Sequence, residues 1–166
     1  WVHVANPTGY ANLCAFLTQS RAGLEKDETN FQLANLCSLS SGLWVTVLPG
    51  FAADEIPSLQ AHFADRISAA LYAHDLPEDR AVLFWAKWMH ERFGIPPLAT
   101  ARPFLVDNDE LEIHHLLTCI RQQRMLNEAA RSLLPNGEAR LRATFEMTEN
   151  VTRWRREWAE MPCPIL

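Results

Sequence analysis

The side chains in this sequence that could bind a metal or move a proton are few and scattered. His74 precedes Asp75, and His114 precedes His115. Neighbouring residues on a helix diverge by about 100°, so His114 and His115 cannot chelate one ion together. His74 reads as a surface-loop histidine, His3 and His62 as packed or solvated ones, and His90 as a residue near a helix C-terminus. The carboxylate pairs Asp54/Glu55 and Asp107/Asp109 have the composition of an acid–base pair, but helix starts and solvated loops account for them. The sequence contains no Gly-rich phosphate loop, Gly-x-Ser-x-Gly elbow, His-Glu-x-x-His pair or Cys/His nucleophile arrangement.

The other chemistry on offer is cationic and aromatic. Arg153-Trp154-Arg155-Arg156 joins positive charge to a ring that could stack on a base, the combination used by single-stranded nucleic-acid sites. Arg121, Arg124, Arg153 and Arg155 are therefore the candidate DNA contacts. The simpler account has Trp154 and Trp158 packing inward, with Arg153 and Arg156 meeting Glu149, Glu157 or Glu160 on the solvent face. With 15 basic and 20 acidic residues the formal charge is -5. That excludes broad attraction to phosphate backbones or anionic lipid, so any DNA contact must be local.

Cys14, Cys37, Cys119 and Cys163 are widely spaced and form no zinc-type cluster, which points to reduced thiols in a cytoplasmic protein. Asn150-Val151-Thr152 has the form of a glycosylation sequon, irrelevant in that compartment. No stretch approaches the roughly 20 apolar residues of a membrane helix. A chain of 166 residues, 48% hydrophobic, can bury the core of about one domain.

Strand-like and helix-like patterns alternate. Trp1-Val2-His3-Val4-Ala5 reads as a strand entered without a turn or cap, as in a chain continuing from upstream sequence. A helix over 8–20, a short helix within 31–39 and a strand at Leu43-Trp44-Val45-Thr46-Val47-Leu48 follow. Asp54 is placed to cap a helix with Ile56, Leu59 and Phe63 on one face, before a strand over 67–73. A longer helix from Leu76-Pro77-Glu78-Asp79 carries Val82, Trp85, Met89 and Phe93 and closes at Gly94. A strand at Leu98-Ala99-Thr100, a helix over 109–122 and a last helix bearing Met147, Val151, Trp154 and Trp158, stopped by Pro162 and Pro164, complete the pattern. Such alternation predicts an α/β fold with parallel strands.

Asn6-Pro7-Thr8-Gly9-Tyr10-Ala11-Asn12-Leu13-Cys14 resembles the Asn-x-x-Gly-Tyr-x-Asn-Leu segment in the polymerase-and-histidinol-phosphatase (PHP) region of bacterial C-family DNA polymerases, the polymerase III alpha subunits. Asp54-Glu55-Ile56-Pro57, Gly94-Ile95-Pro96-Pro97-Leu98-Ala99-Thr100 and Leu116-Leu117-Thr118-Cys119-Ile120-Arg121 then follow in the family's order. Leu133-Leu134-Pro135-Asn136-Gly137-Glu138-Ala139-Arg140-Leu141-Arg142 is similar to the error-prone branch, where a Pro-Asn-x-Glu-x-His-Leu-Arg phrase is common.

The resemblance implies a portion of a distorted (β/α)7 barrel over residues 1–147, lacking the family's N-terminal segment, and a helical C-terminal extension over 148–166. It implies a DNA-synthesising parent acting in replication and repair, whose polymerase carboxylates lie in a later region, so that this chain alone would not be catalytic. The family's metal ligands align with Phe51, Ala70, Arg102 and Phe104 here, and none of these coordinates a divalent cation. His74, near a family Asp-His phrase, is the one candidate survivor. The expectation is thus a structural or interaction module with no cofactor, whose partners are the rest of the polymerase chain, DNA through the parent, and a second copy of the isolated piece. No membrane partner is expected. The alternative is a PHP phosphoesterase or proofreading 3′–5′ exonuclease holding zinc, manganese or magnesium through His74, His114 or His115 and residues outside the chain.

Overall fold

The computed structural model describes residues 1–26 and 28–160. The expected stop at Pro162 and Pro164, and Cys163, lie outside the described residues. Seven α-helices and four strands are present among the described residues, in the order β1 (Val2–Val4), α1 (Pro7–Arg21), α2 (Leu33–Ser38), β2 (Leu43–Val47), α3 (Ile56–Phe63), β3 (Ile67–Leu71), α4 (Asp79–Phe93), β4 (Pro97–Ala99), α5 (Leu111–Gln122), α6 (Leu126–Ala129) and α7 (Thr144–Glu160). The strands form one mostly parallel sheet of order β1-β2-β3-β4. It is an open sheet and not a closed barrel.

β2 and β3 run parallel, with Val45 opposite Ile67 and Val47 opposite Ala69, as a strand–helix–strand crossover through α3 requires. The β3–β4 bonds, Ala69 N–H to Pro96 O and Thr100 N–H to Leu71 O, both 2.9 Å, advance in the same direction along both strands. β1 departs from the all-parallel expectation: Val2, His3 and Val4 pair antiparallel with Val45, Trp44 and Leu43. It is an edge strand, and half-exposed antiparallel edges are common on otherwise parallel sheets.

The chain divides into two compact units, residues 1–70 with 88–98 and residues 71–87 with 99–166. In the first, α3 lays Ile56, Leu59 and Phe63 against the sheet, each 1% exposed or less, together with Leu43, Val45, Val47, Ile67 and Ala69. Burial of a side chain such as Phe63 contributes about 2–3 kcal/mol, so Phe63→Ala would remove the largest single piece of this core. Asp54 is not the cap of α3; it sits in a 3-10 turn over Ala53–Glu55, and the cap position, Glu55, makes no side-chain cap bond. The turn already satisfies part of the helix start, so a capping carboxylate is dispensable. Arg66 ties the unit's loops together, donating from Nη1 to the carbonyls of Ser40 and Leu43 and from Nη2 to that of His62.

In α4 the buried residues are Val82, Leu83, Ala86, Lys87 and Met89, whereas Trp85 and Phe93 of the expected stripe are only half-buried. Gly94 closes the helix at φ +69°, its N–H bonded to His90 O at 2.8 Å. On α5 only Thr118 and Cys119 are buried, while Ile113, Leu116, Leu117 and Ile120 are 58–63% exposed. No described helix is long and apolar enough to cross a membrane. Cys14, Cys37 and Cys119 are free thiols.

Candidate functional site

The phrases that carry the family resemblance hold backbone. Asn6 caps α1, its Oδ1 accepting from Gly9 N–H at 3.0 Å, with Pro7 at the first helical position. Gly9 lies so close to the Ser40-Ser41-Gly42 turn that a β-carbon there would stand 1.9 Å from Gly42 O. Asn12 Nδ2 donates to Ser41 O at 2.8 Å, and Ala5 N–H to Gly42 O at 2.9 Å. Asn6, Gly9 and Asn12 therefore fasten α1 to the entry of β2. Phe51, in the turn after β2, is half-buried, and Ala70 on β3 is fully buried. Neither side chain carries a donor atom for a metal.

In the second unit the chain leaves β3 through Tyr72, Ala73 and His74, all buried. His74 is thus not the surface-loop histidine that the sequence suggested: its Nε2 lies 2.9 Å from Ala101 O, and its ring stacks on Tyr72 at 5.4 Å. A ring nitrogen facing a carbonyl must carry the proton, so only Nδ1 keeps a lone pair. The His74 N–H donates to both oxygens of Asp79 at 3.0–3.1 Å, and its carbonyl accepts from Asn136 Nδ2 at 2.7 Å. Arg142, with a side chain only 8% exposed, donates from Nη2 to Ala73 O at 3.2 Å and to Glu138 Oε2 at 3.0 Å. The Pro135-to-Arg142 phrase therefore clamps the exit of β3, which sequence reasoning did not foresee.

Arg102 stands beside that exit. Its φ of +44° is left-handed, its N–H bonds Thr100 Oγ1 at 3.1 Å, and its Nη1 donates to Tyr72 OH at 2.6 Å. The guanidinium carbon lies 4.7 Å from the Tyr72 ring centre and 5.6 Å from that of Phe104. Phe104 meets the His114 ring edge-on at 6.4 Å, and His114 meets His115 at 6.4 Å. His74, Tyr72, Arg102, Phe104, His114 and His115 thus form one continuous ladder of rings around a single cation. His115 Nε2 faces Leu134 O at 3.0 Å, while His114 Nδ1 is buried with no hydrogen-bond partner among the described residues. The available sequence signal was the two-residue spacing of Tyr72/His74 and of Arg102/Phe104.

Among the described residues no three His, Cys, Asp or Glu side chains are grouped so as to hold an ion, and the Tyr72 ring that stacks on His74 carries the Arg102 guanidinium as well. Arg121, Arg124 and Arg155 are exposed. Arg153 pairs with Asp75 at 3.5 Å and with Glu157 at 4.0 Å, while Trp154 on the same helix is buried. Arg124 lines an apolar groove of about 760 Å³ with Leu116, Ile120, Met125 and Leu126. Arg140 bonds Glu146, which also accepts from Ala143 N–H at 2.8 Å. The Arg140 hydrogen bond, then that backbone bond, hold the Glu146 carboxyl at a pKa of about 2.

The chain is thus a mixed α/β scaffold whose motif residues secure backbone, with a cation between two rings beside the strand ends. No protein-family model matches the chain. It is similar to proteins named error-prone DNA polymerase: 24% identical over 163 residues to that of Anaeromyxobacter dehalogenans strain 2CP-C, covering 93% of this chain and 14% of that protein. The corresponding protein of Pseudomonas aeruginosa is 27% identical over 144 residues, with 86% and 14% covered. That of Xanthomonas axonopodis pv. citri is 29% identical over 146 residues, with 84% and 13% covered. The similarity supports a polymerase-related region, and the chain spans about one seventh of the length of these relatives.

Proposed function

We propose that this chain is the later part of a PHP-like region in an error-prone polymerase III alpha subunit, with its metal site lost and its role reduced to bracing the polymerase and presenting surfaces to it. The observation that carries this reading is the Tyr72–Arg102–Phe104 stack. A guanidinium and a phenyl ring stand where the family resemblance puts two ligands, and the nearby His74 is bound into the fold through Nε2 and both backbone polar groups. The order of the motif phrases along the chain and the names of the relatives support the polymerase assignment. The strand order β1-β2-β3-β4 is then an open portion of the (β/α)7 barrel.

The surface offered to the rest of the polymerase is the outward face of α5 with α6. Ile113, Leu116, Leu117, Ile120, Met125 and Leu126 are each at least 58% exposed, and grouped apolar side chains of this kind mark interaction surfaces. Relatives with most of their length outside the matched region supply the polypeptide that would cover it. In the isolated chain the same face is open to a second copy.

The test is hydrolysis of bis(p-nitrophenyl) phosphate and of 3′-labelled single-stranded DNA with zinc, manganese or magnesium. No turnover above buffer is expected. Metal-dependent cleavage that His74→Ala abolishes would overturn the scaffold reading in favour of a phosphoesterase or exonuclease.

A further inference from the structure

We infer that Arg102 and Phe104 form a one-nucleotide site for single-stranded nucleic acid, with a phosphodiester on the guanidinium and a base on the ring. Arg102 has five N–H donors, of which Nη1 is bonded to Tyr72 OH. No carboxylate among the described residues pairs with it. A half-buried guanidinium between two rings is positioned in advance and partly dehydrated, so an incoming phosphate meets a donor fork already in place.

Phe104 is 54% exposed and so leaves ring surface open for stacking. Its backbone is fixed: the N–H groups of Phe104 and Leu105 both donate to Ala139 O, at 2.7 and 3.0 Å. Cation and ring are therefore held together by the scaffold rather than by a ligand. Base–aromatic stacking beside a cation is how single strands are gripped without sequence preference. The net charge of -5 fits a contact confined to one phosphate.

The inference rests on the proposed function in one respect, that no metal takes the phosphate. The experiment is fluorescence anisotropy of a labelled ten-nucleotide oligothymidylate with the full chain, with and without EDTA, for the wild type, Arg102→Met, Phe104→Ala and, as a control, Arg21→Ala, an exposed cation on α1. Arg102→Met and Phe104→Ala are each expected to weaken binding about tenfold. Arg21→Ala should leave it unchanged, and log K should fall against log salt with a slope of about -0.7, one phosphate on a single strand. Phe104 is exposed, so its variant remains informative if Arg102→Met fails to fold. EDTA-sensitive binding would overturn the scaffold reading. EDTA-insensitive binding that neither variant weakens, a slope of several phosphates, or preference for a phosphopeptide over the oligonucleotide would overturn this inference alone.

Discussion

The two units use their polar residues with different emphasis. In residues 1–70 with 88–98, the side chains of Asn6, Asn12 and Arg66 all bond backbone groups, Arg66 while also lying 5.6 Å from the Phe63 ring centre, and Phe51 and Ala70, the positions the resemblance aligns with metal ligands, are apolar. In residues 71–87 with 99–166, backbone clamps are also present, through Asn136 and Arg142, but beside them the Arg102 guanidinium and the Phe104 ring meet only side chains. Residues that fasten turns to helices tolerate little change because they answer to fixed backbone geometry. In the Arg102–Phe104 pair the backbone is held, by Thr100 and by Ala139 O, while the side-chain ends answer to each other, so it is there that side-chain chemistry can change with least effect on the backbone.

Glycine substitutions sharpen that contrast most strongly. A β-carbon on Gly9 would meet the backbone of Gly42, which cannot yield without moving β2, whereas one on Gly137 would meet the side chain of exposed Asn108. Gly9→Ala is expected to cost about 3 kcal/mol, and Gly137→Ala less than about 1 kcal/mol, in urea denaturation of the same chain. Equal costs would erase the distinction between a backbone-locked and a side-chain-lined contact. Next in size is Arg142→Ala, which strips Ala73 O and Glu138 of a buried partner and should cost about 2 kcal/mol. A change below about 0.5 kcal/mol would mean that the clamp on the β3 exit is ornamental.

The smallest effect is a pH dependence. The Glu146 carboxyl, ordinarily at 4.5, is held at about 2 by Arg140 and by Ala143 N–H. Its folded pKa lies below its unfolded one, so the stabilisation is complete above about pH 4.5 and disappears as pH falls toward 2. Thermal unfolding of Glu146→Gln should lack that part of the acid-side slope, and an unchanged slope would contradict the assignment.

Much of the fold was legible because periodicity reports burial. Ile56, Leu59 and Phe63 recur at helical spacing, and all three face the core. What periodicity could not supply was direction. Val2–Val4 reads as a strand in either orientation, and only pairing with β2 makes it antiparallel. On α5, the apolar residues Ile113, Leu116, Leu117 and Ile120 outnumber those that face inward, because a helix can present an apolar face outward as well as toward a core. The ladder escaped notice because its members come from three segments, around residues 72, 102 and 114, which only the fold brings together. His74 was misplaced because the turn at Asp75 signals a loop, while burial of its side chain depends on Ala101 and Asn136.

If the metal positions have been refilled, the chain retains no tightly bound divalent ion, and its metal content reads this out. The purified chain, dialysed exhaustively against zinc, manganese and magnesium and then against metal-free buffer, would be assayed by elemental analysis. Well under one equivalent of each metal is the predicted result. A stoichiometric metal retained by the wild type and lost in His74→Ala would show that a ligand set survives around His74, and would contradict the account.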